Sequence, residues 1–129
     1  MDEKFVDTNI FVEIITRVGK KSDQSKKLVE SAIDLFTNSL VFSEVEWVLR
    51  SVYNQKKSLV VEFLKKILSS NIRIEDRKVI IDAVNFYEEH AVDWTDCLNM
   101  SFVKEKDGKQ VYSYDKGLSK FDWIKRLEP

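Results

Sequence analysis

Short apolar runs that alternate with longer helical segments constrain this chain more than any other feature. Polar residues flank each run, and apolar residues recur at helical spacing in the segments between the runs. The strand candidates are residues 4–6, 39–42, 71–74 and 110–114, and residues 121–127 form either a final strand or a docked tail. The helix candidates are residues 10–16, 22–37, 75–90 and 95–106, with two further helices that start at Ser43 and Ser58.

Strands that are separated by helices form βα units, which predict a mainly parallel sheet. Right-handed crossover connections then allow helices on both faces of that sheet. We therefore expect an α/β fold, a three-layer α/β/α sandwich with a four- or five-stranded sheet. The length of 129 residues predicts one domain, residues 1–129, with room for a hydrophobic core.

The composition excludes several classes of protein. With 21 Lys and Arg against 22 Asp and Glu the net charge is −1, so any nucleic-acid site must be local. The single Cys97 cannot form an internal disulfide or a thiolate metal cluster, which favours a reducing cytoplasm. His90 is the only histidine, which excludes a multi-histidine metal site, and we interpret it as a surface or helix-end residue. The sequence has neither a signal-peptide pattern nor the apolar run of ~20 residues that a membrane span needs.

Acidic residues fall where the predicted strands end and the predicted helices begin. Asp7 follows the first strand, Glu44 follows the second, and Asp115 follows the strand near the end of the chain. Asp93 and Asp96 flank the start of the last long helix. Because open α/β folds gather their functional groups at the carboxyl edge of the sheet, we expect these acids to lie along one edge.

Each acid also has a purely structural interpretation. Asp7 and Asp93 both precede helices, where Asp is a preferred N-cap residue. Ser43 and Glu46 have the spacing of a capping box, which gives Glu46 a structural role and leaves Glu44 in the first turn, where the helix dipole favours a carboxylate. Taken singly, each acid is more typical of a cap than of a metal ligand.

Several carboxylates at one edge would destabilise the fold if no ligand were bound, because they repel one another and raise one another's pKa. A divalent cation removes that cost. A chain with one His and one Cys can build a mostly oxygen site, which suits Mg²⁺ or Mn²⁺. Such a site is suited to phosphodiester hydrolysis, because the metal lowers the pKa of a bound water and stabilises charge in the transition state.

Four segments of the chain resemble the motifs of the PIN-domain family in order and approximate spacing: FVDTNIF, FSEVEWVLRSVY, VDWTDCLNMS and VYSYDKGLSKF. The likeness is to the small single-domain ribonucleases of the VapC type, which are toxins of toxin–antitoxin pairs. The resemblance covers nearly the whole chain. It implies an α/β/α sandwich, RNA cleavage that depends on Mg²⁺ or Mn²⁺, a small antitoxin partner and a homodimer.

The resemblance assigns the four acids of the family to Asp7, Glu44, Asp96 and Asp115, as catalytic residues and metal ligands. Glu44 is preferred to Glu46 because it lies three residues before the Trp-Val-Leu segment, as the second acid of the family does.

Four further residues support these acids in the same interpretation. Asn9 matches the Asn of the family and would orient the first acid and a metal-bound water through hydrogen bonds. Ser113 is expected to support the last acid, Asp93 is an auxiliary acid, and Thr8 supports the backbone.

Contacts with RNA are expected from aromatic and basic residues near the acids. Trp94 lies between two of the acids and is the candidate for stacking on a base, whereas Trp47 is interpreted as a core or dimer-contact residue. Arg17, Lys116 and Lys120 are expected near the same edge, where they could contact phosphates.

Two other functions are compatible with parts of this pattern. One is a catalytically silent PIN-fold scaffold that binds RNA or protein, which metal-dependent turnover would distinguish from a nuclease. The other is a metal-dependent phosphatase of another α/β fold, which needs a nucleophilic Asp and a partner Asp two residues later. Position 9 is Asn, so the partner acid is missing and the phosphatase is disfavoured.

Overall fold

Three short parallel strands organise the first part of the chain. The computed structural model describes residues 2–129, whose contacts form two compact units, one that ends at Arg77 and one that comprises Lys78–Pro129. The sheet of the first unit has three strands, in the order β1 (Lys4–Phe5), β2 (Leu35–Thr37) and β3 (Arg73–Ile74). Phe36 pairs with Phe5 on one side and with Arg73 on the other, so β2 is the central strand.

Four helices connect and surround these strands. They are α1 (Thr8–Thr16), α2 (Lys20–Val29), α3 (Ser39–Ser51) and α4 (Lys57–Leu68). Apolar residues at helical spacing are buried, as with Val45 and Leu49 of α3 and Val60 and Leu64 of α4, all of which have no exposed surface. These side chains form the core of the first unit.

The second unit contains helices followed by a two-stranded sheet. Its elements are α5 (Arg77–Glu89), α6 (Trp94–Glu105), β4 (Gln110–Tyr112), a 3₁₀ helix (Lys116–Lys120) and β5 (Lys125–Leu127). β4 and β5 are parallel, with Val111 opposite Arg126. Phe121 is buried and packs edge-on against Phe86 of α5, with 5.3 Å between the ring centroids.

The predicted α/β class with parallel strands is confirmed. Within residues 2–129 the strands form one sheet of three and one of two rather than the expected single sheet of four or five, and the segment at residues 121–127 contains a true strand. His90 directly follows the last residue of α5, which confirms that it is a helix-end residue. In residues 2–129 the longest helices have 13 residues, and none has the length and apolarity that a bilayer crossing requires.

The predicted helix at residues 22–37 is wrong in its second half. The helix ends at Val29, and Ser31 closes the turn after it by donating a hydrogen bond from Oγ to the carbonyl oxygen of Leu28, at 2.6 Å. Residues 35–37 instead form β2, because hydrogen bonds to a strand on each side stabilise the extended chain more than helical spacing favours a helix. Thr37 is completely buried there, and its Oγ1 donates to the carbonyl oxygen of Val6 at 3.0 Å.

The predicted strand at residues 39–42 is also wrong, since these residues form the first turn of α3. Asn38 is the N-cap, and its side-chain oxygen accepts a hydrogen bond from the backbone N–H of Val41 at 3.2 Å. The spacing of Ser43 and Glu46 is therefore not a capping box at a helix start. Glu44 lies six residues after the cap, outside the first turn, so the helix-dipole argument for this residue fails.

Candidate functional site

Three acids of the second unit interact around the start of α6. Asp96 lies in the first turn of the helix and is half-buried. Burial raises the pKa of Asp96 most, and the charge of Asp115, a hydrogen bond between these two carboxyl groups and the charge of Asp93 raise it further. Asp96 and Asp115 are thus a coupled pair of carboxyl groups, with Asp93 close enough to add to their repulsion.

The backbone around Asp115 fixes its carboxylate. Its Oδ1 accepts a hydrogen bond from the backbone N–H of Gly117 at 2.8 Å, and its own backbone N–H donates to Oγ of Ser113 at 3.0 Å. A Cβ atom at position 117 would lie 3.0 Å from the same Oδ1, so glycine leaves room for this carboxylate. Ser113 therefore holds the turn that presents Asp115 by contacting the backbone of this residue. The sequence interpretation did not single out Gly117, although the Asp-Lys-Gly segment is a turn signal.

Asp93 occupies the N-cap position of α6, but its side chain makes no capping hydrogen bond. The predicted N-cap position of Asp93 is therefore confirmed, whereas the capping hydrogen bond is not formed. Its exposed carboxylate instead contributes negative charge near Asp96.

In the first unit, Asp7 is the N-cap of α1. Its Oδ1 accepts a hydrogen bond from the backbone N–H of Thr8 at 2.7 Å, and the side chain remains exposed. The cap uses one carboxylate oxygen, so a structural role for Asp7 does not prevent it from binding a ligand. Asn9 is exposed in the first turn of α1, whereas Thr8 is buried with no hydrogen-bond partner for its Oγ1 within residues 2–129.

Glu44 is exposed on α3, and Glu46 on the same helix is half-buried. The exposed face of α3 also carries Trp47, with 61% of its surface accessible. The core alternative for Trp47 is therefore wrong, and its alternative role as a dimer contact stays a prediction.

Trp94, in contrast to Trp47, is buried although it was expected to be accessible. It was the candidate for stacking on RNA, but it is only 2% exposed and packs edge-on against Tyr87, with 5.6 Å between the ring centroids. A base cannot stack on a ring whose faces are covered by protein, so the prediction is wrong for this structure. The reason is that Trp94 begins α6 with its side chain directed into the core.

Two of the three basic residues that were expected to contact phosphates, Lys116 and Lys120, lie in the second unit with Asp96 and Asp115. Lys116 begins the 3₁₀ helix directly after Asp115, and Nζ of Lys120 donates to the carbonyl oxygen of Ala91 at 2.9 Å, two residues before Asp93. Both lysines are exposed in the unit that holds the coupled acids.

The expectation that Arg17 lies near the edge that carries the acids is wrong with respect to Asp7. Arg17 is the C-cap of α1, whereas Asp7 caps its start, and the nine residues between them span about 14 Å of helix. The guanidinium of Arg17 instead interacts with Tyr53, whose hydrogen bond is the main cause that raises the pKa of Arg17.

The carboxylates suit a hard divalent cation with a largely water-filled coordination shell. Within residues 2–129 no three His, Cys, Asp or Glu side chains lie close enough together to enclose a metal ion. Mg²⁺ is commonly bound through one or two carboxylates and retains several waters. The coupled pair Asp96 and Asp115 fits that mode of binding, and a cation there would relieve the repulsion that raises the pKa of Asp96.

The parallel α/β fold and the paired acids define a class of proteins whose oxygen-rich sites bind divalent metals. A family model of the PIN domain matches residues 4–124, so the chain belongs to the PIN-domain family. Comparison with curated proteins found no match. PIN domains are generally nucleases and typically use divalent metals, so membership supports a nuclease-like function and nucleic-acid binding.

Proposed function

We propose that this protein is an endoribonuclease that depends on Mg²⁺ or Mn²⁺ and hydrolyses RNA phosphodiester bonds. One observation carries the proposal. The carboxyl group of Asp96 is half-buried near that of Asp115, and burial first and the charge of Asp115 second raise its pKa, two effects that a bound cation would offset. The family match makes a nuclease the natural use of such a pair.

In this proposal Asp7, Glu44, Asp96 and Asp115 are the catalytic acids and hold the metal. The bound metal supplies a more acidic water and stabilises negative charge on the phosphate in the transition state. Asn9 orients the Asp7 carboxylate.

Three more side chains support the acids of the second unit. Ser113 holds the turn that presents Asp115, through its 3.0 Å hydrogen bond with the backbone N–H of that residue. Lys116 and Lys120 contact the phosphates of the RNA strand, which supplies the local positive charge that the overall balance of −1 lacks.

We further propose that residues 1–129 act as one PIN domain and that the protein is the VapC-type toxin of a toxin–antitoxin pair, working as a homodimer in the cytoplasm. The four sequence motifs support the comparison with VapC-type toxins. A small antitoxin could inhibit the enzyme by inserting an Arg among the acids, because a guanidinium matches a pair of carboxylates.

A catalytically silent PIN-fold scaffold is the second candidate. One observation favours it, namely that no group of three potential ligands encloses a metal position within residues 2–129. Such a protein would bind RNA or a partner without turnover.

Cleavage of a mixed pool of structured RNAs separates the two candidates. Purified protein is incubated with Mg²⁺, with Mn²⁺ or with EDTA, beside the variants Asp96→Asn and Asp122→Asn. Asp122 is an exposed residue of the same unit and serves as a matched control for the loss of one charge. We expect metal-dependent cleavage that falls about 10³-fold in Asp96→Asn, since a bound metal contributes several kcal/mol to the transition state.

The Asp122→Asn control should cleave like the wild type. If the protein neither cleaves RNA nor binds metal by calorimetry, the nuclease is excluded and the scaffold is supported.

A further inference from the structure

A polar pocket lies in the first unit, beside the helix that Asp7 caps. It has a volume of about 460 Å³ and is formed by the facing sides of α1 and α2. Asn9 and Glu13 line it from α1, and Lys21 and Gln24 line it from α2. The wall therefore carries a carboxylate, an ammonium group and two amides, which together offer strong hydrogen-bond acceptors and donors.

The rest of the wall suits a flat, partly apolar ligand. Ile10 and Leu28 contribute apolar surface, and Ser25 of α2 adds a hydroxyl group to the wall. Small-ligand sites combine apolar walls with a few polar groups and have volumes of roughly 300–1,000 Å³. A nucleobase with its ribose fits that size.

Glu13 is the unusual residue of this pocket. Its side chain is only 14% exposed, and its ion pair with Nε of Arg17 is long, at 4.0 Å. The Arg17 side chain is 64% exposed, and its guanidinium also interacts with Tyr53, so it is shared between two partners. A carboxylate that is largely withdrawn from water and weakly paired gains from a ligand that donates N–H groups to it.

We propose that this pocket binds one guanine base of the RNA substrate and thereby selects the sequence that is cut. Guanine presents two adjacent donors, N1–H and N2–H, which match the two oxygens of the Glu13 carboxylate. Lys21 and Gln24 donate to the acceptors O6 and N7 of the same base. Adenine, cytosine and uracil do not offer two adjacent N–H donors on neighbouring ring positions, so each makes fewer bonds to Glu13.

The inference rests on the proposed function, because it assigns the substrate specificity of a ribonuclease. The position of the pocket fits that role. Asn9 lies two residues after Asp7, in the first turn of α1, and also lines the pocket. A base bound there would hold its neighbouring phosphates near the first of the proposed catalytic acids.

The test measures binding without cleavage. The full chain carrying Asp96→Asn is titrated into labelled single-stranded octamers of uridine that contain one central guanosine, adenosine, cytidine or no substitution, and anisotropy gives the affinities. We expect the octamer with guanosine to bind about tenfold more tightly, as one good bidentate contact to a base provides. Adding Glu13→Gln should abolish the preference, and adding Gln24→Ala should reduce it.

Matched controls come from the same helix. Lys21→Met is compared with Lys20→Met, and Gln24→Ala is compared with Asp23→Asn, since Lys20 and Asp23 are exposed residues outside the pocket. Only changes at the pocket residues should alter the preference for guanosine.

Equal affinity for all four octamers, no binding to any of them, or a preference that survives Glu13→Gln would each overturn the proposal. Parallel cleavage assays with the wild-type protein and Mg²⁺ keep the two proposals separate. Metal-dependent cleavage without a preference for guanosine overturns the proposal that the pocket binds guanine and leaves the proposed nuclease intact. A preference for guanosine with neither cleavage nor metal binding supports recognition of guanine by the pocket and overturns both the nuclease and the selection of a cut sequence.

Discussion

The acids of the two units are held in different ways. In the first unit, Asp7 is exposed and has a structural partner, because it caps α1 through the N–H of Thr8. In the second unit, Asp96 is half-buried, and its principal neighbours are Asp115 and Asp93, which repel it. One acid therefore stabilises the metal-free protein and the other opposes its stability. Asp115 also caps a helix, through the N–H of Gly117, so the difference lies in Asp96, whose ionised form is disfavoured by burial and by a neighbouring carboxylate that a cation would offset.

The tryptophans of the two units allow the strongest test of this comparison. Trp94→Ala should lower the free energy of unfolding by about 3–5 kcal/mol, because it empties a buried site against Tyr87. Trp47→Ala should change it by no more than about 0.5 kcal/mol, because that side chain is exposed. Urea denaturation measures both, and equal losses would contradict the assignment of Trp47 to the surface.

The cap at Asp7 predicts a smaller loss. Asp7→Ala should lower the free energy of unfolding in EDTA by about 1 kcal/mol, since the N–H of Thr8 loses its side-chain partner. Asp7→Asn should retain most of the stability because Asn is also a good N-cap. If both variants were equally destabilised, the negative charge rather than the hydrogen bond would be what matters at this position.

Asp96→Asn should change the free energy of unfolding in the opposite direction to Asp7→Ala. In EDTA at pH 7 we expect the variant to be more stable than the wild type by about 0.5 kcal/mol, a small gain because solvent screens the partly exposed charges. The pKa of Asp96 is raised above its ordinary value of 3.8, so the wild type loses stability as the pH rises through the raised pKa. The difference between the proteins should therefore vanish below about pH 3.8, and urea titrations across pH measure it. A variant less stable than the wild type at pH 7 would contradict the repulsion.

Substitution of Glu3 should give the smallest change in stability, and the contribution of Glu3 should depend on pH in the opposite direction to that of Asp96. Its two carboxylate oxygens accept hydrogen bonds from Nε and Nη2 of Arg73 at 2.6 and 2.8 Å, which lowers the pKa of Glu3. The stability that this pair contributes is present above the ordinary value of 4.5 and is lost as the pH falls through the lowered pKa. Glu3→Gln should thus lower the Tm slightly at pH 7, and the difference should shrink in acid. A difference that grew in acid would contradict the ion pair.

The sequence predicts the class of fold because short apolar runs alternate with longer helical segments, and in the first unit helices do connect successive strands. It fails between residues 31 and 42, where the apolar residues have helical spacing but Phe36 pairs with Phe5 on one side and with Arg73 on the other. Hydrogen bonding between distant segments is not visible in local spacing. The misplaced strand in turn made Ser43 and Glu46 resemble a cap, whereas the actual cap is Asn38.

For the site, the motifs single out the acids, but their surroundings depend on side-chain direction. The motif identifies Asp96 from the sequence. The proximity of Asp96 to Asp115 cannot be predicted in the same way, because it depends on the turn in which the N–H of Gly117 binds Asp115. Trp94 was misjudged because the sequence position next to an acid does not reveal which way the first turn of α6 faces. The weak pairing of Glu13 left no signal in the sequence, since it depends on the distance to Arg17 and the burial of the side chain.

The pairing of β4 with β5 ties the end of the chain to the turn that presents Asp115. The N–H of Ser113 donates to the carbonyl oxygen of Leu127 at 2.9 Å, and Nη1 of Arg126 donates to the carbonyl oxygen of Ser113 at 2.8 Å. A protease that removed only the residues after Trp123 would leave every proposed ligand in place and still free this turn. Strand β5 therefore supports the turn that presents Asp115, although it contributes none of the proposed ligands.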